Sequence, residues 1–305
     1  MEFFPDIPIA CAGGMHAKAL PGVPMQQAEP VDDSLSDFQA RAICLDGVTR
    51  TVHFSGAGPG VIVMAEMPCI SPHVVRFARW LRNVGFSVYM PSLFGRDGAV
   101  PQAEEGLAIM RRACISAEFH ALAGQGASPV TAWLRALARL ALTECGPPGV
   151  GAVGMCFTGN FALSMMLEPA MLASVLAQPS LPLDDPSAVE SSAEELAAVR
   201  ARLERDDLTV IAYRFEGDRH CRAERFAAYQ AALGPRFIGK ALPDSAANLD
   251  PPPFFRQVVG CPHSVFTAHF IDAEGEATVR ARDEVVAFLR LRLYGEPLFA
   301  AETIL

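Results

Sequence analysis

Cys156, Asp218 and His263 are the side chains whose types and chain order suit nucleophilic chemistry. Cys156 sits in the run Val150-Gly-Ala-Val-Gly154-Met155-Cys156-Phe157-Thr158-Gly159, a short apolar strand that leads into a glycine-flanked turn and then a helix. That is the spacing of a nucleophile elbow, with a thiol in the attacking position. The nucleophile of such a turn holds a strained backbone conformation, so its neighbours must be small. A side chain at Gly154 would crowd the turn, and Gly159 lets the helix approach the strand. A free thiol is mostly protonated at neutral pH and needs a base or a nearby imidazolium to become a thiolate. Asp218 follows the run Leu208 to Phe215, and His263 lies in the later loop Gly260-Cys-Pro-His263-Ser264. A carboxylate behind an imidazole fixes its tautomer and supports its positive charge. The competing reading of Cys156 by itself is a buried cysteine that packs as a small hydrophobe.

These residues need elements to position them. The runs 42–45 and 51–54 read as two strands joined at Asp46-Gly47. The apolar run 60–65 suits a central parallel strand, and 86–90, 150–153, 173–177, 208–215 and 237–241 supply the others. Helical spacing falls at 74–84, 104–119, 132–142, 157–167 and 279–293. Ser191-x-x-Glu194 reads as a capping box that opens a charged, solvated helix to about Arg205. Residues 243–262 read as a Pro-rich loop. Strands alternating with helices predict an α/β fold, a mostly parallel central sheet with helices on both faces. Sites in such sheets lie at the carboxyl ends of the strands, where Cys156, Asp218 and Glu66 all fall. Glu66 ends an apolar strand, a costly place for an ionised group without a purpose, and a carboxylate beside a thiol can take its proton. A strand-end glutamate reaching solvent is the plainer alternative.

The chain has 305 residues, of which 51% are hydrophobic and 19% charged, enough to bury a sizeable core. Residues 1–38, rich in Pro and Gly, read as an N-terminal arm; 39–305 read as a single domain with an insertion near 97–127. No apolar stretch approaches the ~18 residues of a membrane helix, and the N-terminus lacks the basic start of a secretory signal, so a cytoplasmic protein is expected. The net charge of −9 speaks against nucleic acid as a partner. Eight cysteines are scattered with neither disulfide nor zinc spacing, so no metal or other cofactor is expected.

With these motifs in hand, the sequence resembles the dienelactone hydrolase family, a cysteine branch of the α/β hydrolases. The resemblance runs from about Gly58 to Arg292 and is carried by residues 61–67, Pro91-Ser-Leu-Phe-Gly-Arg96, Gly154-Met-Cys-Phe-Thr-Gly159, Glu216-Gly-Asp218 and Pro262-His263-Ser264. It implies an α/β-hydrolase fold and a Cys156–His263–Asp218 triad. It implies that Glu66 takes the thiol proton and that Arg96 helps to hold an anionic substrate and to position that glutamate, with Ser264 as a further substrate-binding residue. The backbone N–H groups of Phe157 and Met67 would form the oxyanion hole. Thr158 stands where the family usually has glycine. The arginine that follows the family's histidine has no counterpart, since Thr267-Ala268-His269 follows here, and a carboxylate-bearing substrate thereby loses an expected partner. The expected activity is hydrolysis of an activated ester or lactone, a small molecule, through an acyl-enzyme. A thioesterase or acyltransferase on the same fold and a non-catalytic thiol-bearing binder are the alternatives. The oligomeric state is left open.

Overall fold

The computed structural model describes residues 31–116, 119 and 128–295. Two strands open the sheet as an antiparallel hairpin, β1 (Gln39–Leu45) and the β-branched β2 (Val48–Ser55), turned at Asp46 and Gly47, both with positive φ. Six strands then run parallel: β3 (Gly60–Met64), β4 (Ser87–Pro91), β5 (Val150–Met155), β6 (Met171–Ala177), β7 (Val210–Phe215) and β8 (Phe237–Leu242). The sheet order is β1-β2-β4-β3-β5-β6-β7-β8. The central strands are buried along their whole length, which is why they read as continuous apolar runs rather than alternating ones.

Alternate residues of those strands feed two cores. Val61, Val63, Val153 and Val175 face α1 (Pro72–Asn83) and α7 (Ala277–Tyr294). Ile62, Met64 and Ala152 face the opposite layer, which holds α2 (Ala103–Ile115), α3 (Pro129–Cys145), α4 (Gly159–Met165), α5 (Ala193–Arg205) and α6 (Ala223–Leu233). The chain leaves β3 toward β4 on one side, then returns to β5 on the other and continues outward to β8. The order of strands therefore reverses between β3 and β5, and a crevice opens beyond their carboxyl ends. Met64 pairs with Gly154 across these strands, so Glu66 and Cys156, each two residues further on, leave the sheet at the same level.

Several local readings shift. The charged helix is capped by Ser192, whose side chain accepts from the Glu195 N–H, one residue later than the Ser191 box suggested. The Pro-rich loop contains a π-helical turn, Phe255–Val259, and α6 has no counterpart among the predicted helices. Residues 31–38 are tied to the domain: Leu35 and Phe38 are buried, Asp33 and Asp37 pair with Arg79, and Asp37 also with Arg82. Residues 1–30 of the arm and most of the later part of the 97–127 insertion lie outside the described residues.

Candidate active site

Cys156 follows β5 directly and holds φ +54°, a conformation that a side chain adopts only under constraint. The constraint is local. A Cβ on Gly154 would lie 2.3 Å from the Thr158 carbonyl oxygen, and one on Gly159 would lie 2.8 Å from Pro179 Cα. Thr158 is fully buried; its Oγ1 accepts from the Met155 N–H at 2.8 Å and has the carbonyls of Met64 and Met155 as acceptors, each at 3.0 Å. The hydroxyl thus fastens the turn to the end of β3, and the residue that departs from the family's usual glycine serves as its clip.

His263 Nδ1 lies 2.7 Å from Asp218 Oδ2. The other oxygen, Oδ1, accepts the N–H groups of His220 at 2.8 Å and Cys221 at 3.0 Å. Burial by itself would raise the Asp218 pKa, but His263 and these amides hold it below the ordinary carboxylate value. Burial likewise disfavours the His263 imidazolium, yet Asp218 and Cys156 outweigh it and place that pKa well above an ordinary histidine. With Nδ1 committed to Asp218, His263 presents Nε2 to the cleft, where Ser180 Oγ stands at 3.4 Å. Ser180 donates its own proton to the Gln178 carbonyl at 2.8 Å, so its oxygen is free to accept from Nε2–H.

Glu66 is buried beneath the loop that carries His263. Thr267 Oγ1 donates to one carboxylate oxygen and Gln178 Nε2 to the other at 3.2 Å, while Gln178 Oε1 accepts the Val265 N–H at 3.2 Å. Burial pushes the Glu66 pKa up, opposed in part by the nearby Ser264 hydroxyl, by Thr267, by His263 and by Gln178. Its hydrogen-bond partners are thus Thr267 and Gln178 rather than the Cys156 thiol. Arg225, completely buried, ties the loop after β6 to the turn at His220 by donating to the carbonyls of Pro179, Pro182, Asp185 and His220 at 2.6–3.0 Å.

Cys156 and His263 open onto a cleft of about 440 Å³, including its solvent-filled mouth. Met67 and Phe157 line it, together with Met110, Leu183, Phe254 and Val258. Two expected substrate contacts lie elsewhere. The Arg96 side chain is 63% exposed and pairs with Asp32 at 2.7 Å, outside the cleft, because residues 31–38 bring a carboxylate to it. Ser264 is buried beside His269, whose Nδ1 accepts its N–H at 3.1 Å, and does not line the cleft. Gln178, Ser180 and His220 were not anticipated; Gln178-Pro179-Ser180 just past an apolar strand was the available signal. Among the described residues no cluster of His, Cys, Asp or Glu could hold a metal ion, and no helix is long and apolar enough to cross a membrane.

The model of the dienelactone hydrolase family matches residues 46–203. Solved structures share the fold at low identity. Dienelactone hydrolase from Anabaena variabilis superposes with TM-score 0.53 at 14% identity, covering 84% of this chain and 99% of that one. A dienelactone hydrolase-like promiscuous phosphotriesterase from metagenomic libraries gives 0.54 at 18%, covering 84% and 99%. An esterase from Pyrococcus furiosus gives 0.55 at 12%, covering 85% and 93%. No curated protein matches the chain by sequence.

Proposed function

The chain belongs to the dienelactone hydrolase family, and from that membership we propose that it cleaves activated esters or lactones through an acyl-enzyme on Cys156. The observation that carries this reading is the Asp218–His263 pair at 2.7 Å, with His263 and Cys156 opening onto the same cleft. An imidazole whose pKa is raised by Asp218 and Cys156 takes the thiol proton and holds it, leaving a thiolate–imidazolium pair.

The thiolate sulfur attacks the ester carbonyl carbon and the carbonyl electrons move onto oxygen. The N–H groups of Phe157 and Met67 receive that oxyanion; Phe157 is among the leading amides of its turn, which have no partner within it. Collapse expels the alkoxide, which takes the Nε2 proton of His263. Water then gives a proton to the same nitrogen and attacks the thioester, and the thiolate departs as the acid is released. Ser180 accepts from Nε2–H and keeps the ring oriented between the two steps. Glu66, through Thr267 and Gln178, holds the His263 loop against the ends of β3 and β6 and acts as a positioning residue.

Intact-mass measurement after exposure to aryl esters and lactones tests this. An acyl adduct is expected on Cys156, and Cys156→Ala is expected to lose the adduct and at least about 1,000-fold in turnover while remaining folded. Undiminished turnover in the alanine variant overturns the reading.

A further inference from the structure

The cleft offers a substrate much hydrocarbon and little charge. Met67, Met110, Phe157, Leu183, Phe254 and Val258 face it, and no lysine or arginine is among the described residues that line it. Arg96 is outside and neutralised by Asp32, while Arg111 and Arg112, next along α2 from Met110, are exposed. The two lining imidazoles are already engaged. His220 gives Nε2 to the Val259 carbonyl at 3.0 Å and, by burial and the nearness of His263, is held in its neutral form. The charge on His263 is matched on one side by Asp218 and on the other by the thiolate of the proposed mechanism. The remaining charges nearby, Asp218 and Glu66, are acidic and buried. A second anion brought into this cleft would be desolvated with no cation to receive it.

We infer that the acyl part of the substrate is uncharged and apolar, so that this site rejects acyl chains ending in a carboxylate. The acyl part is the one concerned, because it stays on the sulfur beside these walls through both half-reactions, whereas the alcohol of an open-chain ester leaves after the first. The inference rests on the acyl-enzyme reading above and deepens it by naming the substrate class.

Two esters that differ by one charge test it: p-nitrophenyl methyl adipate and p-nitrophenyl hydrogen adipate, which share a leaving group and a chain. The neutral ester is expected to show kcat/KM at least about tenfold higher at neutral pH, since an unpaired buried carboxylate is strongly disfavoured. A ratio below tenfold, with both activities abolished in Cys156→Ala, overturns this inference and leaves the acyl-enzyme intact. Turnover that survives in Cys156→Ala, or no turnover of either ester, overturns both.

Discussion

The two walls of the cleft are built on different physics. The wall formed by the ends of β3, β5, β6 and β7 and the His263 loop is a set of buried polar groups with named partners: Thr158 to Met64 and Met155, Asp218 to two amides and an imidazole, Glu66 to Thr267 and Gln178. The facing wall, from α2 and the π-helical turn, is Met110, Phe254, Phe255, Val258 and Val259, whose side chains are all apolar and meet a substrate only by van der Waals contact. Buried hydrogen bonds have narrow geometry and are costly to leave unmade, whereas apolar contacts tolerate repacking. The polar wall should therefore fix the chemistry and the apolar wall the choice of substrate.

Replacing Asp218 with asparagine should break the contrast most severely. A fall in kcat of about 1,000-fold is expected from loss of the tautomer and of charge support. The His263 pKa stands above its ordinary value through Asp218 and Cys156; without the carboxylate the imidazolium gives up its proton at lower pH. The rate of Cys156 alkylation by iodoacetamide, followed against pH, should change accordingly, with the ion-pair plateau narrowed. An unaltered profile would mean that Asp218 does not act on the thiol through His263.

Thr158→Val keeps the shape and removes the hydroxyl. It leaves the Met155 N–H and the Met64 carbonyl without their partner, so a loss of about 1–3 kcal/mol in unfolding free energy is expected. A roughly tenfold drop in kcat with little change in KM should accompany it, and Thr158→Ser should recover both. Equal behaviour of the serine and valine variants would show that volume, not the hydrogen bonds, matters at this position.

The smallest effect belongs to the apolar wall. Met110 is only half buried, and Met110→Ala should raise KM for a hexanoyl ester by about three- to tenfold, consistent with the loss of a few methylene contacts, with kcat nearly unchanged. A kcat loss matching that of Thr158→Val would erase the distinction between the walls.

Much of the polar wall was legible in the chain. The elbow reads directly because strand, turn and helix signals are local and the strained residue demands small neighbours. Cys156, Asp218 and Glu66 were placeable because each follows a strand and sites gather at carboxyl ends. Long-range partnerships without a motif behind them were not visible. Arg96 meets Asp32 across 64 positions, and nothing at either residue announces the other. Helix α6 escaped because its N-cap, Arg222, supplies no capping side chain, and one of its inward residues is Arg225, a type expected at the surface. The π-helical turn was masked by the prolines around it. The apolar wall was the less legible half: α2 read as a helix over 104–119, but Phe255, Val258 and Val259 lie in a segment that read as irregular.

The backbone twist at Cys156 has an evolutionary consequence. A side chain at φ +54° costs roughly 1–2 kcal/mol that glycine would not incur. Backbone strain therefore favours abandoning the thiol, while its packing against the core and selection for turnover oppose that loss. In any descendant of this chain, the residue at 156 is a fossil gauge: it will drift to glycine soonest in lineages that keep the scaffold and give up the reaction.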